Sequence, residues 1–252
     1  MRGRFSKALR PVMAGLTCAL LLIGLGAVPK STPKKTEPKV PKALRVLSVS
    51  VLPIPQTTGK MSVEEALALR RSIRNLSPDD LSMTEISQLL WAAQGISEPR
   101  RGRRTAPSAG GTYPIEIFAV TRRGLARYAA PSHSLEWLDM RDLREALSEA
   151  AAKQDSVRAA PLDIVIAGVP ERTTPRYGDR AGRYVYLEAG HVAQNILLQA
   201  TALGLGAVPI GAFLEEPLAK TLRLPANYYP LYLIPVGRPR PGELEAARQG
   251  VK

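Results

Sequence analysis

The chain has 252 residues, 45% of them hydrophobic, and a formal net charge of +13, enough for one substantial domain with extensions. Residues 1–60 hold 11 Lys/Arg against the single acid Glu37, which leaves 24 basic and 21 acidic residues for 61–252. The basicity therefore belongs to the N-terminal stretch. With three Phe, two Trp and no zinc-finger or other nucleic-acid motif, no nucleic-acid partner is expected. One cysteine, Cys18, and two histidines, His133 and His191, exclude a disulfide, a thiolate nucleophile in the domain and a Cys- or His-rich metal site, so no metal is expected.

Arg2, Arg4, Lys7 and Arg10 precede an uncharged apolar run over residues 12–28. This is the pattern of a signal peptide or an N-terminal membrane anchor, and residues 1–28 are read as one or the other. An exported or membrane-anchored protein at the cell envelope is expected, with sidedness open and a membrane tether through residues 12–28. Residues 29–60 are rich in Pro, Lys, Thr and Ser and read as a linker. The domain proper is placed at 61–240, followed by a C-terminal tail at 241–252.

Within the domain, Ser62-Val-Glu-Glu65 has capping-box spacing and opens a helix from Val63 to about Arg71; Ser82-Met-Thr-Glu85 repeats the device before Ile86, Leu89, Leu90 and Ala93. Residues 115–120 alternate like a strand. Leu125–Tyr128 and Leu135–Leu138 read as a hairpin turning at Pro131-Ser-His133, which places His133 in solvent. Residues 141–152 read as helix, and 161–168 and 231–237 as buried strands. A long helix pattern runs from Tyr184 to Leu203, with Leu187, Val192, Ile196 and Leu203 near one face and small residues over much of the rest. It suits the interior of the molecule or a subunit interface, and His191 reads as a core histidine rather than a catalytic one. The class is α+β, a mixed or antiparallel sheet flanked by helices. No Gly-x-Gly-x-x-Gly follows a strand into a helix, so the usual dinucleotide fingerprint is missing.

Several segments carry chemistry. Arg70-Arg71-Ser72-Ile73-Arg74 closes the first helix, where cations are favoured in any case, yet guanidiniums beside a hydroxyl also grip phosphate. Arg100-Arg-Gly-Arg-Arg104 flanks the small-residue loop Thr105-Ala-Pro-Ser-Ala-Gly-Gly-Thr-Tyr-Pro114, suited to lie against a polar planar ligand. Trp91 and Tyr113 either flank that ligand or pack. Pro209-Ile210-Gly211-Ala212 looks like a tight backbone surface whose small residues let N–H groups come close to a flat ligand, and Arg238 follows the last buried strand.

With Leu-Leu-Trp-Ala-Ala-Gln-Gly (89–95), Tyr-Gly-Asp-Arg (177–180), Leu-Glu-Ala-Gly-His-Val-Ala-Gln-Asn (187–195) and Val-Gly-Arg-Pro (236–239), these segments resemble the FMN-dependent nitroreductase-like superfamily, in its SagB/ThcOx-type (azoline) dehydrogenase branch, over about residues 61–239. The resemblance implies a homodimeric α+β flavoprotein of nitroreductase-like fold, with FMN at the subunit interface and the long central helix at that interface. It implies that Arg70, Ser72 and Arg74, with Arg71 nearby, hold the FMN phosphate and ribityl chain, and that Arg238 reaches the same phosphate. Pro107, Ser108, Ala109 and Gly110 would line the flavin, and Pro209, Ile210, Gly211 and Ala212 would lie along its ring. Many relatives outside this branch carry an acidic residue at the position of Gly211 and Asn at that of Gly111, so backbone contacts must serve here. The chemistry implied is hydride transfer at flavin N5. Azoline dehydrogenases of the branch use a Lys-Tyr pair where this chain has Arg176-Tyr177. Arginine is a poor general base, which leaves Tyr177 as proton donor or relay and Arg176 as an anion binder. The same residues also suit a nitro or quinone reductase drawing on NAD(P)H, or a non-catalytic flavin-binding sensor or scaffold; a small molecule or peptide is the expected substrate.

Overall fold

The computed structural model describes residues 44–244. In chain order the elements are β1 (Ser48–Val51), α1 (Val63–Leu69), α2 (Met83–Gln94), β2 (Ile96–Glu98), β3 (Arg103–Arg104), β4 (Ile115–Thr121), β5 (Gly124–Ala129) and β6 (Ser134–Asp139). There follow α3 (Arg144–Ala150), α4 (Asp155–Ala159), β7 (Leu162–Gly168), α5 (Thr174–Tyr177), α6 (Ala181–Ala202), β8 (Gly206–Ala207), α7 (Glu215–Thr221) and β9 (Tyr229–Gly237). Seven strands form one antiparallel sheet in the order β1-β6-β5-β4-β7-β9-β8, and β2 and β3 make a separate ribbon.

All seven residues of β7 are buried, so the sheet must be covered on both faces. Ile117, Ile164, Ile166 and Ile234 pack on one face with Leu89 and Leu90 of α2 and Val192 and Ile196 of α6. Phe118, Val120, Val165 and Leu233 pack on the other with Leu147 of α3, Val157 of α4 and Leu218 of α7. The period-2 alternation of β4 thus feeds two cores. Both capping boxes form: Ser62 and Ser82 accept from the N–H groups of Glu65 and Glu85, whose carboxylates return to the serine N–H groups.

The α+β class holds, as do the main strands and helices, with four differences from the sequence reading. Residues 48–51, assigned by composition to the linker, form the edge strand β1 on β6. Val49 and Val51 alternate there with Ser48 and Ser50, the Trp137 indole donates to Ser50 Oγ at 2.9 Å, and Leu52 is buried. His133 is not solvated: its Nδ1 lies 2.8 Å from the Tyr128 hydroxyl, and its Nε2 lies 2.7 Å from Ser87 Oγ and 2.9 Å from the Pro53 carbonyl. It pins the N-terminal arm to α2 and the β5–β6 turn. His191 is exposed on α6 rather than in the core, because its register falls on the outward stripe. Helix α3 is shorter than 141–152. The Asp139 and Asp142 carboxylates accept from the N–H groups of Arg141 and Arg144 before it, and Ala152 and Lys153 take positive φ after it.

Asp163 on β7 is wholly buried, and neither carboxylate oxygen has a hydrogen-bond partner among the described residues. Burial pushes its pKa well up, against the pull of Arg144 and with Asp142 adding to the rise. The unfolded chain releases this proton near the ordinary carboxylate value while the folded chain keeps it, so this group makes stability fall as pH rises toward the folded pKa. Above the ordinary carboxylate pKa and up to the folded one, unfolding free energies from urea titrations should fall by up to about 1.4 kcal/mol per pH unit from this group. Asp163→Asn should remove that slope.

Candidate functional site

Helix α1 ends at Arg70, which leaves the helical region (φ −56°, ψ 121°). Arg71 folds back, its guanidinium donating to the Ala68 carbonyl at 2.9 Å and the Arg70 carbonyl at 2.8 Å. It therefore caps the helix, satisfying carbonyls left without helical partners. The next residues are stitched to the sheet edge: Ser72 bridges Ala207, Ile73 N–H donates to Ala207 O at 3.1 Å, and Ser77 N–H donates to Arg238 O at 2.8 Å. The approach is close because glycines allow it. A Cβ on Gly206 would stand 2.9 Å from Ile73 Cγ2 and Leu76 Cδ2, and one on Gly237 would stand 2.8 Å from Pro161 Cδ. Segments 70–76, 206–207 and 236–239 thus meet. The Arg70 and Arg74 guanidiniums make no ion pair or hydrogen bond among the described residues. Arg238 instead binds Glu85, with Nη2 3.0 Å from Oε1. Partial burial raises the Glu85 pKa, but hydrogen bonds from Ser82 and the Arg238 guanidinium outweigh it and hold the carboxyl below its ordinary value.

Beyond β8, Ile210 exchanges both backbone hydrogen bonds with Leu233, at 2.8 and 3.0 Å. This fixes Pro209 to Ala212 along the β9 edge. Gly211 and Ala212 are exposed, and their N–H groups donate no hydrogen bond among the described residues. A Cβ at Gly211 would meet nothing within 4 Å among the described residues.

The small-residue loop lies elsewhere. Ser108 Oγ accepts from Tyr113 N–H at 2.9 Å, and positive φ at Gly110 (61°), Gly111 (68°) and Tyr113 (45°) makes a tight turn. Pro107 and Gly110 are exposed, while Ser108 and Ala109 are half-buried. The loop docks on the segment after β7. Thr112 and Thr173 hydroxyls are 2.9 Å apart, Arg172 donates to Tyr113 O at 3.0 Å and binds Glu116, and Arg176 Nη1 donates to Gly110 O at 3.3 Å. Arg176 and Tyr177 on α5 therefore stand beside Gly110. The Tyr177 ring packs on Tyr184 with centroids 4.5 Å apart, and the Arg176 guanidinium carbon lies 5.7 Å from the Tyr177 centroid.

The arginine group sits where β7 begins and β9 ends; the glycine loop and α5 sit where β7 ends and β4 begins. Seven strand residues, about 20 Å, separate them. A charged network behind the loop escaped the sequence reading. Glu188 of α6, 2% exposed, accepts from Gln94 at 3.1 Å, and its second oxygen has no hydrogen-bond partner among the described residues. Burial raises its pKa, against the Ser108 hydroxyl, Gln94 and Arg104. The signal was present: positions 185, 188, 189 and 192 share one helical face, so Glu188 falls among apolar neighbours.

Among the described residues no helix is long and apolar enough to cross a membrane. The expectation of an exported or membrane-anchored protein rested on residues 12–28, which lie outside the described residues. Neither the described residues nor the relatives give a sign of export or anchoring, and the expectation is withdrawn.

Gly206→Ala should drive its Cβ into Ile73 and Leu76. A loss of about 1–3 kcal/mol in denaturant unfolding is expected, as for overpacking elsewhere.

Residues 67–238 match the Nitroreductase family. A nitroreductase homologue of Methanocaldococcus jannaschii is 42% identical over 71% of this chain and 92% of its own. The crystal structure of a Ralstonia eutropha nitroreductase homologue superposes with a TM-score of 0.70 and 32% identity, over 81% of this chain and 96% of that one. A chain of the Escherichia coli microcin synthetase McbBCD complex, solved with truncated pro-MccB17 bound, gives 0.61 and 26% over 86% and 84%. The fold, the convergence of the arginine segment on the β8–β9 edge and the matched span agree, and the chain belongs to the nitroreductase family of oxidoreductases.

Proposed function

We propose that the protein is an FMN-dependent oxidoreductase that works as a homodimer and belongs to the SagB/ThcOx-type branch. The observation that carries this reading is the separation of the two residue groups. Arg70, Ser72 and Arg74 lie where β7 begins, and Ser108 to Gly110 with Arg176-Tyr177 lie about 20 Å away where it ends. Gly211-Ala212 fall between them along the β9 edge, just after Ile210, which pairs with Leu233 opposite Val165. A cofactor seated between two copies of the chain could touch the arginine group of one and the glycine loop of the other. The exposed surface supports such a pairing. Tyr186 and Leu187 of α6 and Val63 and Leu67 of α1 are all more than half exposed, and Gly190 lies mid-helix with open space beyond its Cα. A mid-helix glycine costs about 0.5–1 kcal/mol relative to alanine, a cost without return unless another chain approaches there.

The residues fit the cofactor. Arg70 and Arg74, free of carboxylates among the described residues, suit a phosphate dianion. Arg238 is tied to Glu85 and would have to release it to join them. The free N–H groups of Gly211 and Ala212 suit the stabilisation of negative charge on a ring edge. Bound FMN would supply hydride transfer. Arg176 stays protonated and holds the loop at Gly110, so it orients and binds rather than abstracts a proton, and Tyr177 is the group able to donate one. The likeness to the McbBCD chain supports the branch, while arginine at 176 favours a reductase or a dehydrogenase of other substrates over azoline oxidation.

The test is to purify the full chain and ask whether it carries FMN, released on denaturation, and whether NAD(P)H with menadione turns over. A colourless protein that takes up no added FMN sinks the proposal. Arg70→Met and Arg74→Met should each weaken FMN binding about tenfold or more, by the loss of a charge-assisted hydrogen bond. Leu187→Glu should shift the protein to monomer in sedimentation and release the flavin with it. Arg176→Lys, assayed with an azoline peptide, reads whether this position blocks that activity.

A further inference from the structure

Arg104 is the unexplained cation of the fold. It is half-buried, its pKa is pushed down by burial, and no carboxylate lies within 4.0 Å of it among the described residues. Its backbone N–H donates to the Tyr113 hydroxyl at 3.3 Å, and its guanidinium stacks on the Tyr113 ring at 4.5 Å and reaches Gln94 Oε1 at 3.4 Å. Of the acids around it, Glu116 is paired with Arg172 and Glu136 with Arg127, and Glu188 is held by Gln94 at one oxygen; Glu116 and Glu188 pull on the Arg104 charge without contacting it. Stacking and one long amide contact compensate a desolvated charge poorly.

Arg104 lines a cleft of about 660 Å³ walled by Leu52, Ile54, Trp91, Ile96, Tyr113 and Pro131, with Ser132 and His133 at its hairpin end. The rim is apolar and open: Val51 is 80% and Ile54 90% exposed. This volume suits a small organic molecule, and the lining is that of a pocket for an apolar body oriented by one polar anchor. The geometry points to a binding site for an apolar monocarboxylate, its chain against Trp91, Ile96 and Ile54 and its carboxylate on the Arg104 guanidinium. The proposal does not rest on the flavin reading: Trp91 and Tyr113, which the sequence leaves free to flank the flavin or to pack, line this cleft, and none of the other side chains named is linked to the cofactor.

The pair of probes is decanoate and decanol, which share the apolar chain and differ in charge, titrated into the full-length protein by calorimetry and by the fluorescence of Trp91. Saturable 1:1 binding of decanoate, with decanol at least about tenfold weaker, is expected from a charge-assisted contact. Arg104→Met should erase that preference. Ile54→Asp, at an exposed position that leaves folding intact, should weaken decanoate about threefold or more by repulsion at the rim, and Ile54→Lys should not. Absence of saturable decanoate binding, equal affinity for decanol, or indifference to both Arg104→Met and Ile54→Asp would overturn the assignment.

Discussion

The burial of β7 is the constraint from which the rest follows. A strand with no exposed residue needs partners on both edges and helices on both faces, and β4, β9, α2, α6, α3 and α7 supply them. Its two ends are then the only places along it where polar chain can gather. The arginine segment collects at one and the glycine loop at the other. The division of the candidate site into two distant halves is a result of sheet geometry, not of loop choice.

Each half is held by close backbone contact rather than by long side chains. Gly206 and Gly237 let Ile73 and Leu76 press against the β8–β9 edge, so the arginines project from a fixed base. At the other end, Arg172 and Arg176 clamp the loop through its carbonyls. Such anchoring keeps a binding constellation preorganised without burying its charges.

Much of this was legible in the sequence. The capping boxes, the alternation of residues 115–120 and the long small-residue helix are local signals, and the structure follows them. The arginine and glycine motifs are visible as segments of sequence, but their separation is a property of strand pairing that no window of sequence contains. Strand β1 was hidden because Pro and Lys on both sides dominate the composition, and only its pairing with β6 orders it. His133 was misread because a turn position says nothing about the arm that folds over it. His191 was misread because a 22-residue helix has more than one face, and the buried one belongs to Val185, Glu188 and Val192. Arg238 shows the same limit: its place after β9 was expected, and its ion pair with Glu85, 153 positions earlier in the chain, was not.

The contact between Gly110 and Arg176 has an evolutionary consequence. A Cβ at position 110 would lie 2.7–2.9 Å from the Arg176 Cδ, Nε and Cζ atoms, and the backbone there holds φ at +61°. Any side chain at 110 must therefore be matched by a shorter or redirected one at 176. Across related sequences the two positions should covary as a pair, with the arginine found where the glycine is kept.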